Sequence, residues 1–594
     1  MESVPQLRAR RSSLPLILIA AVVQGLSLYA LHRAIEAHQW PATSPAWLLA
    51  FYTVAFLAPT TVQLMAEFAE RSSLWVLTVL LAAAVFYFGW HYGSSVFDVE
   101  AQFFVRNGDP FPLASVLLVW WLLTLPFLQC RVATDQWGVD YERLFAFAWR
   151  NVITLAEAVL FTALFWLILL LWKSLFHMLG IDFFRTLFDE PIFVYPVTAI
   201  VFGCALHLIG SIDTLISAVL EQVLNVLKWL ATVAGALLIL FTVALLTKLP
   251  GLIVSGRHAI GAVWLLWLVA VIVLFLNAAY RDGKVDRPYP RWISDALRFS
   301  MPLTVVIAVT ALYALLVRSH HFGLSVERVW GFIVAGAALV YSVGYSIAAF
   351  RRGPWLAMAS RVNVMVAVAL IVVIGAALTP LLSPHRLAAN SQYQLILNGR
   401  YMVLGHSSTD EPAFLYLATN CGNYGRRALQ RLASLQGHPH ADQIRDLAAQ
   451  ALKPRYPWQV SLHGDSKAAV AQLPLYPAGR ALDPDLTRRL TADWSRFRPY
   501  VPAQSLERST VGVFVDLDGD GTDEFVLFYG GGGSVYQNQG RHWQYVGEVF
   551  PEGAMVAWPT LLKAISGGDI TTVAPPWKDL SIGSHLYRVV PGRR

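Results

Sequence analysis

About eleven runs of apolar residues, each close to twenty long, fill the first 383 positions of the chain, and they limit its fold more than any other feature. They lie at approximately 14–31, 46–65, 74–92, 111–129, 152–172, 192–209, 228–247, 259–280, 299–317, 329–350 and 362–382. A helix of about 20 residues crosses a bilayer core of roughly 30 Å. Inside lipid no water can satisfy a backbone N–H or C=O, so each run is expected to be a helix that satisfies its own. The composition agrees: 56% of residues are hydrophobic and 14% charged, against roughly 25% charged in an ordinary soluble protein. A simple soluble enzyme is excluded. The net charge of +7 is spread without a long Lys/Arg run, so no nucleic-acid partner is expected.

Arg8, Arg10 and Arg11 precede the first run as they would in a signal peptide, but no small-x-small cleavage site closes it, so it reads as a retained span. Orientation follows from basic residues in short loops, which stay on the cytoplasmic side during insertion. With the N-terminus inside, sixteen such residues, among them Arg71, Arg131, Arg287 and Arg352, fall inside, and eight, among them Arg33, Lys173 and Arg318, fall outside. An odd number of spans then puts the C-terminal region outside the cytoplasm, which for a bacterial inner membrane is the periplasm. Trp90, Tyr92 and Tyr280 sit where spans meet headgroups, whereas Trp120 and Trp121 fall mid-span and read as helix packing. Residues 212–227 read as a helical lead-in to the next span, with an interfacial helix as the alternative.

Residues 384–594 have ordinary polarity and form the expected second body, a small extracytoplasmic α+β domain behind the all-α membrane bundle of 1–383. The stretches 426–435 and 441–452 have helical periodicity and predict a hairpin. From 458 to 594 the pattern becomes β-rich, with strand-like runs at 511–517, 524–530 and 543–550. Gly530 to Gly533 has no Lys-Ser/Thr to make a phosphate loop and reads as a hairpin turn.

Between the first two strands, Asp516, Asp518, Asp520 and Glu524 occupy loop positions 1, 3, 5 and 9, and the Thr522 carbonyl adds an oxygen at position 7. Gly519 and Gly521 relieve the tight turn. Oxygen donors without His or Cys suit Ca²⁺ rather than Zn²⁺. An EF-hand needs a bidentate Glu at position 12, where this chain has Leu527. The loop is similar to the Asp-x-Asp-x-Asp-Gly-x-x-Asp calcium loops of FG-GAP and related β-repeat proteins, with Glu524 in place of the final Asp. The competing reading is an acidic Asx/Gly turn without metal. Four convergent carboxylates repel one another unless a cation joins them, so a structural Ca²⁺ is expected.

Weaker signals lie in the membrane region. Glu157 and His207 are ionisable residues inside spans, which makes them candidates for coupling in a transporter or permease, against the plainer reading of hydrogen-bonded core residues. Asn277 reads as interhelical glue. Asp98 and Glu100, an acidic pair in an outside loop, would suit a membrane glycosyltransferase, although such pairs are common in solvated loops. No Ser/His/Asp order, His-Glu-x-x-His or dinucleotide fingerprint is evident.

Five stretches in order, YERLFAFAWRNVITLAEAVLFTALFWLILLLWKSLF (141–176), LNAAYRDG (276–283), HFGLSVERVWG (321–331), CGNYGRRALQRLA (421–433) and VDLDGDGTDEFVLF (515–528), resemble the bacterial multispanning family known as domain of unknown function 4153. The resemblance implies a polytopic inner-membrane protein with an appended C-terminal domain, and brings no reaction with it. The expectation is a membrane anchor for a calcium-stabilised periplasmic domain that binds an envelope protein or glycan. A transporter using Glu157 and His207, and a glycosyltransferase using Asp98 and Glu100, are the alternatives.

Overall fold

The structure, a computed structural model, describes residues 13–96, 111–138, 140–210, 213–254, 261–281, 289–350, 358–398 and 413–452. In the C-terminal part it describes 470–493 and 510–587, with short interruptions. It divides into two compact units, residues 1–452 and 453–594.

Among the described residues, eleven helices are long and apolar enough to cross a membrane. They are α1 (Leu14–Glu36), α2 (Pro45–Leu64), α3 (Ser72–Val96), α4 (Phe111–Thr134), α5 (Tyr141–Met178), α7 (Pro191–Gly210), α8 (Asp213–Val254), α9 (Ala262–Tyr280), α10 (Arg291–Phe322), α11 (Val326–Phe350) and α12 (Ala359–Ala377). The short α6 (Phe183–Asp189) lies between α5 and α7. Local chemistry sets several ends: Pro15 stands in the first turn of α1, where its missing N–H costs nothing, and the Asp140 carboxylate accepts the Glu142 N–H at the start of α5. The 212–227 segment belongs to α8, one continuous helix, so the lead-in reading holds from Asp213 on.

Large apolar side chains on these helices face outward, Leu240 at 70% and Trp264 at 81% exposure. Lipid tolerates that surface and water does not. The chain is a multi-pass membrane protein.

Lipid tails are as apolar as leucine, so helices in a bilayer associate through close packing and polar contacts. Gly89 and Gly93, four apart on α3, meet Ala46 and Ala50 of α2. A Cβ on Gly89 would lie 2.7 Å from the Leu49 carbonyl oxygen, and one on Gly93 would lie 2.6 Å from that of Pro45. Polar side chains add specific ties. Trp121, 1% exposed, donates to Thr61 Oγ1 at 2.9 Å, and Trp120 donates to the Ile371 carbonyl at 2.9 Å, so both pack helices, as expected. Asn277 Oδ1 accepts from Tyr345 Oη at 2.8 Å and from Asn363 Nδ2 at 2.6 Å, joining α9, α11 and α12. That is the interhelical role its position predicts.

The first unit continues past the expected boundary at residue 383. Helices α13 (Pro384–Leu397), α14 (Ala413–Asn420), α15 (Gly422–Ala433) and α16 (Ala441–Leu452) share a core of Ala388, Ile396, Leu417, Leu429, Leu432 and Ile444. They hold to the ends of the membrane helices. Gln392 Nε2 donates to the Phe322 and Leu324 carbonyls at 3.0 Å each, and Asn423 Nδ2 donates to the Ser94 carbonyl at 2.7 Å. Gly422, at φ +52, approaches α3 so closely that a Cβ would lie 2.5 Å from the Val96 oxygen. Alternating spans place the end of α3, the start of α11 and the end of α12 on one face, and these four helices cap that face. The expected hairpin is present as α15 and α16.

The second unit is built on a five-stranded sheet in the order β1-β2-β3-β4-β5, formed by Leu475–Tyr476, Thr510–Val515, Glu524–Tyr529, Gly532–Gln539 and His542–Val549. Strand β1 runs parallel to β2 and the remaining neighbours are antiparallel. Period-two alternation buries both faces. Phe525, Leu527, Tyr536 and Trp543 pack with Leu486 and Leu490 of α17 (Pro484–Asp493), while Val511, Val513 and Phe528 pack with Ile565 of α18 (Trp558–Ser566). A small two-stranded sheet, β6 (Leu580–Ile582) with β7 (His585–Tyr587), follows. An α-helical membrane bundle followed by a small sheet region is the fold class expected from the sequence. Strand β4 was hidden by its glycines: Gly532 and Gly533 belong to the strand and pair with Tyr529 and Phe528.

Candidate metal centre

The acidic loop is the β2–β3 connection, closed by the register pair Val515 and Glu524. That pair places the Glu524 side chain at the first position of β3, where it is 4% exposed, and it starts the loop at Asp516, directly after β2. Gly519 and Gly521, at φ +81 and +85, let the chain fold back on itself in the left-handed region open to glycine. Asp516, Asp518 and Glu524 each bring an oxygen within 4.8 Å of the others. Oxygens on opposite sides of a Ca²⁺ coordinated at 2.3–2.6 Å are about 4.6–5.2 Å apart, so the cluster has the right span.

The loop's own N–H groups orient these carboxylates. Asp516 accepts from Gly519 at 2.7 Å through Oδ1 and from Gly521 at 3.0 Å through Oδ2. Glu524 Oε2 accepts from Leu517 N at 2.8 Å. Gln537 of β4, which sequence reasoning missed, donates from Nε2 to Asp518 Oδ2 at 2.8 Å and to Glu524 Oε1 at 3.4 Å. Each carboxylate oxygen has two lone pairs, so one such bond leaves a lone pair for a cation. Asp520 stands apart: its Oδ1 accepts the Thr522 N–H at 2.7 Å, an Asx turn, and it is not among the three converging carboxylates. Asp523 forms an ion pair with Arg480 across the sheet edge.

The donor set fits a hard divalent cation. Three anionic oxygens crowd together with no Lys or Arg paired to Asp516, Asp518 or Glu524 among the described residues, and one of the three is nearly buried. Repulsion of that kind is offset by a cation or by protonation. Amide donors alone orient the oxygens without neutralising them.

The other sequence candidates are not brought to this loop. Glu157 lies half-buried on α5, with Oε2 buried and lacking a hydrogen-bond partner among the described residues. His207 lies half-buried on α7, which packs against α5. Neither lines the cavity beneath the four capping helices or the groove around Trp40 and Phe51. Asp98 and Glu100 lie outside the described residues.

Compared with protein-family models, with curated proteins and with solved structures, the chain finds no match.

Proposed function

We propose that this protein is an inner-membrane anchor that displays a calcium-stabilised domain, residues 453–594, on the periplasmic face, where the domain binds an envelope protein or glycan. The observation that carries the reading is the convergence of Asp516, Asp518 and buried Glu524 at the head of a β-hairpin. The distribution of basic loop residues and the odd span count support the orientation. Extracellular modules bind Ca²⁺ with a Kd of about 10⁻⁴–10⁻³ M. At a concentration twenty times Kd the bound ion adds about 2 kcal/mol of stability.

The test is thermal unfolding of the full-length protein in detergent with excess Ca²⁺ and with chelator. Calcium is expected to raise the transition of the C-terminal unit in the wild type and to leave Asp518→Ala unmoved. Superimposable wild-type curves in the two conditions would remove the metal from the account. The transporter reading draws support from the buried Glu157 Oε2, and solute-coupled proton uptake in proteoliposomes that disappears in Glu157→Gln would favour it.

A further inference from the structure

A cavity of about 310 Å³ lies in the first unit, where the ends of α3, α11 and α12 meet α13–α15. It is independent of the acidic loop and of the anchoring reading. His91, Tyr92, Glu327, Trp330 and His385 stand in its wall, and among the described residues no Lys or Arg does. The volume is at the lower end of the range for small-molecule sites.

The polar groups of the wall can be assigned. His91 Nδ1 lies 2.9 Å from the Leu378 carbonyl oxygen. A carbonyl only accepts, so Nδ1 carries a proton, and Nε2 lies 3.2 Å from the Tyr424 hydroxyl. His385 meets Tyr92 edge-on, with ring centroids 5.7 Å apart, and burial pushes its pKa down to about 4. At neutral pH it carries no charge. Glu327, in the first turn of α11, is exposed at the mouth. The Tyr416 hydroxyl accepts the Val326 N–H at 2.8 Å and donates to Glu327 Oε2 at 3.5 Å. Among the described residues Glu327 has no ion-pair partner. Arg386 is held off the wall by the bond from Nη1 to the Pro380 carbonyl at 2.9 Å.

Among the described residues, Glu327 is the only Asp, Glu, Lys or Arg side chain on the wall. That disfavours a phosphate or carboxylate ligand, which would meet Glu327 with no Lys or Arg among the described wall residues to offset it. A bare divalent ion needs several converging ligands, and among the described residues only the acidic loop of the second unit offers three. A wholly apolar ligand would cover Glu327 and His385 without satisfying them. An alkylammonium meets each requirement, because its charge pairs with Glu327 while its carbon groups lie against the Tyr92 and Trp330 rings, which attract cations through their faces. We propose that this cavity is a binding site for a small organic ammonium group, either the headgroup of an amine-bearing lipid or a free amine.

Full-length protein in nanodiscs of phosphatidylglycerol alone, titrated with choline and with ethanolamine by saturation-transfer NMR, is the test. Saturable binding that falls at least tenfold in Glu327→Gln, and is unchanged in Glu36→Gln on α1, is expected if the ligand is a free amine. If it is a lipid, neither free amine binds, but native mass spectrometry of protein from phosphatidylethanolamine nanodiscs finds that lipid retained by wild type and lost from Glu327→Gln. Trp330→Leu provides a second variant should Glu327→Gln melt early. The proposal fails if neither amine nor lipid is retained. It fails equally if either binds a well-folded Glu327→Gln as it binds wild type, or if inorganic phosphate occupies the cavity instead.

Discussion

His385 gives the fold a pH dependence that can be worked through in advance. Burial lowers its pKa from 6.5 to about 4, so the unfolded chain takes up this proton more readily than the folded one. A histidine depressed in this way adds stability that is complete above pH 6.5 and is lost as pH falls toward 4. The full difference is roughly 3 kcal/mol, from about 1.36 kcal/mol per unit, and about 2 kcal/mol of it is gone by pH 5. Other groups titrate over the same range, so the useful quantity is the contrast with His385→Gln, which cannot take up the proton. Denaturant unfolding of ligand-free protein in detergent, followed by near-ultraviolet circular dichroism at pH 7.5 and pH 5, is the assay. Wild type is expected to lose about 2 kcal/mol more than the variant between the two. Equal losses would refute the claim that the capping helices hold this imidazole neutral.

Two substitutions probe packing and the loop. Gly93→Leu forces a side chain into the Pro45 backbone, where even a Cβ would sit at 2.6 Å, and is expected to cost 1–3 kcal/mol or more; a melting temperature like that of wild type would show that α2 and α3 do not depend on this contact. Gln537→Leu keeps the sheet but removes the amide that bridges Asp518 and Glu524, and is expected to weaken calcium binding about tenfold by calorimetry without changing the calcium-free melt.

How much of this was visible in the sequence depends on the range of the interactions concerned. The spans were legible because bilayer thickness acts on each run separately, and Trp121 betrayed its packing role by sitting at a depth where an interface anchor has no purpose. The acidic loop was legible because its ligands lie within nine residues. Asp520 is not among the three carboxylates that converge, since spacing gives proximity but not rotamer. Gln537 was invisible because it reaches the loop through strand register. The capping helices were assigned to the wrong body because their polarity resembles a soluble domain's, while Gln392 and Asn423 spend their amides on the carbonyls of α10, α3 and the α10–α11 turn. The cavity was hidden for the same reason: His91 meets Tyr424 across 333 residues, a separation at which local pattern carries no information.

The proposed calcium-holding loop on the outer face of the membrane is open to accessibility labelling. With Cys204 replaced by alanine to remove the exposed native thiol, Thr522→Cys is treated with a membrane-impermeant maleimide in spheroplasts, with and without Ca²⁺. Labelling without lysis, slowed when calcium is present, is expected. Labelling only after lysis, or at a rate indifferent to calcium, would contradict it.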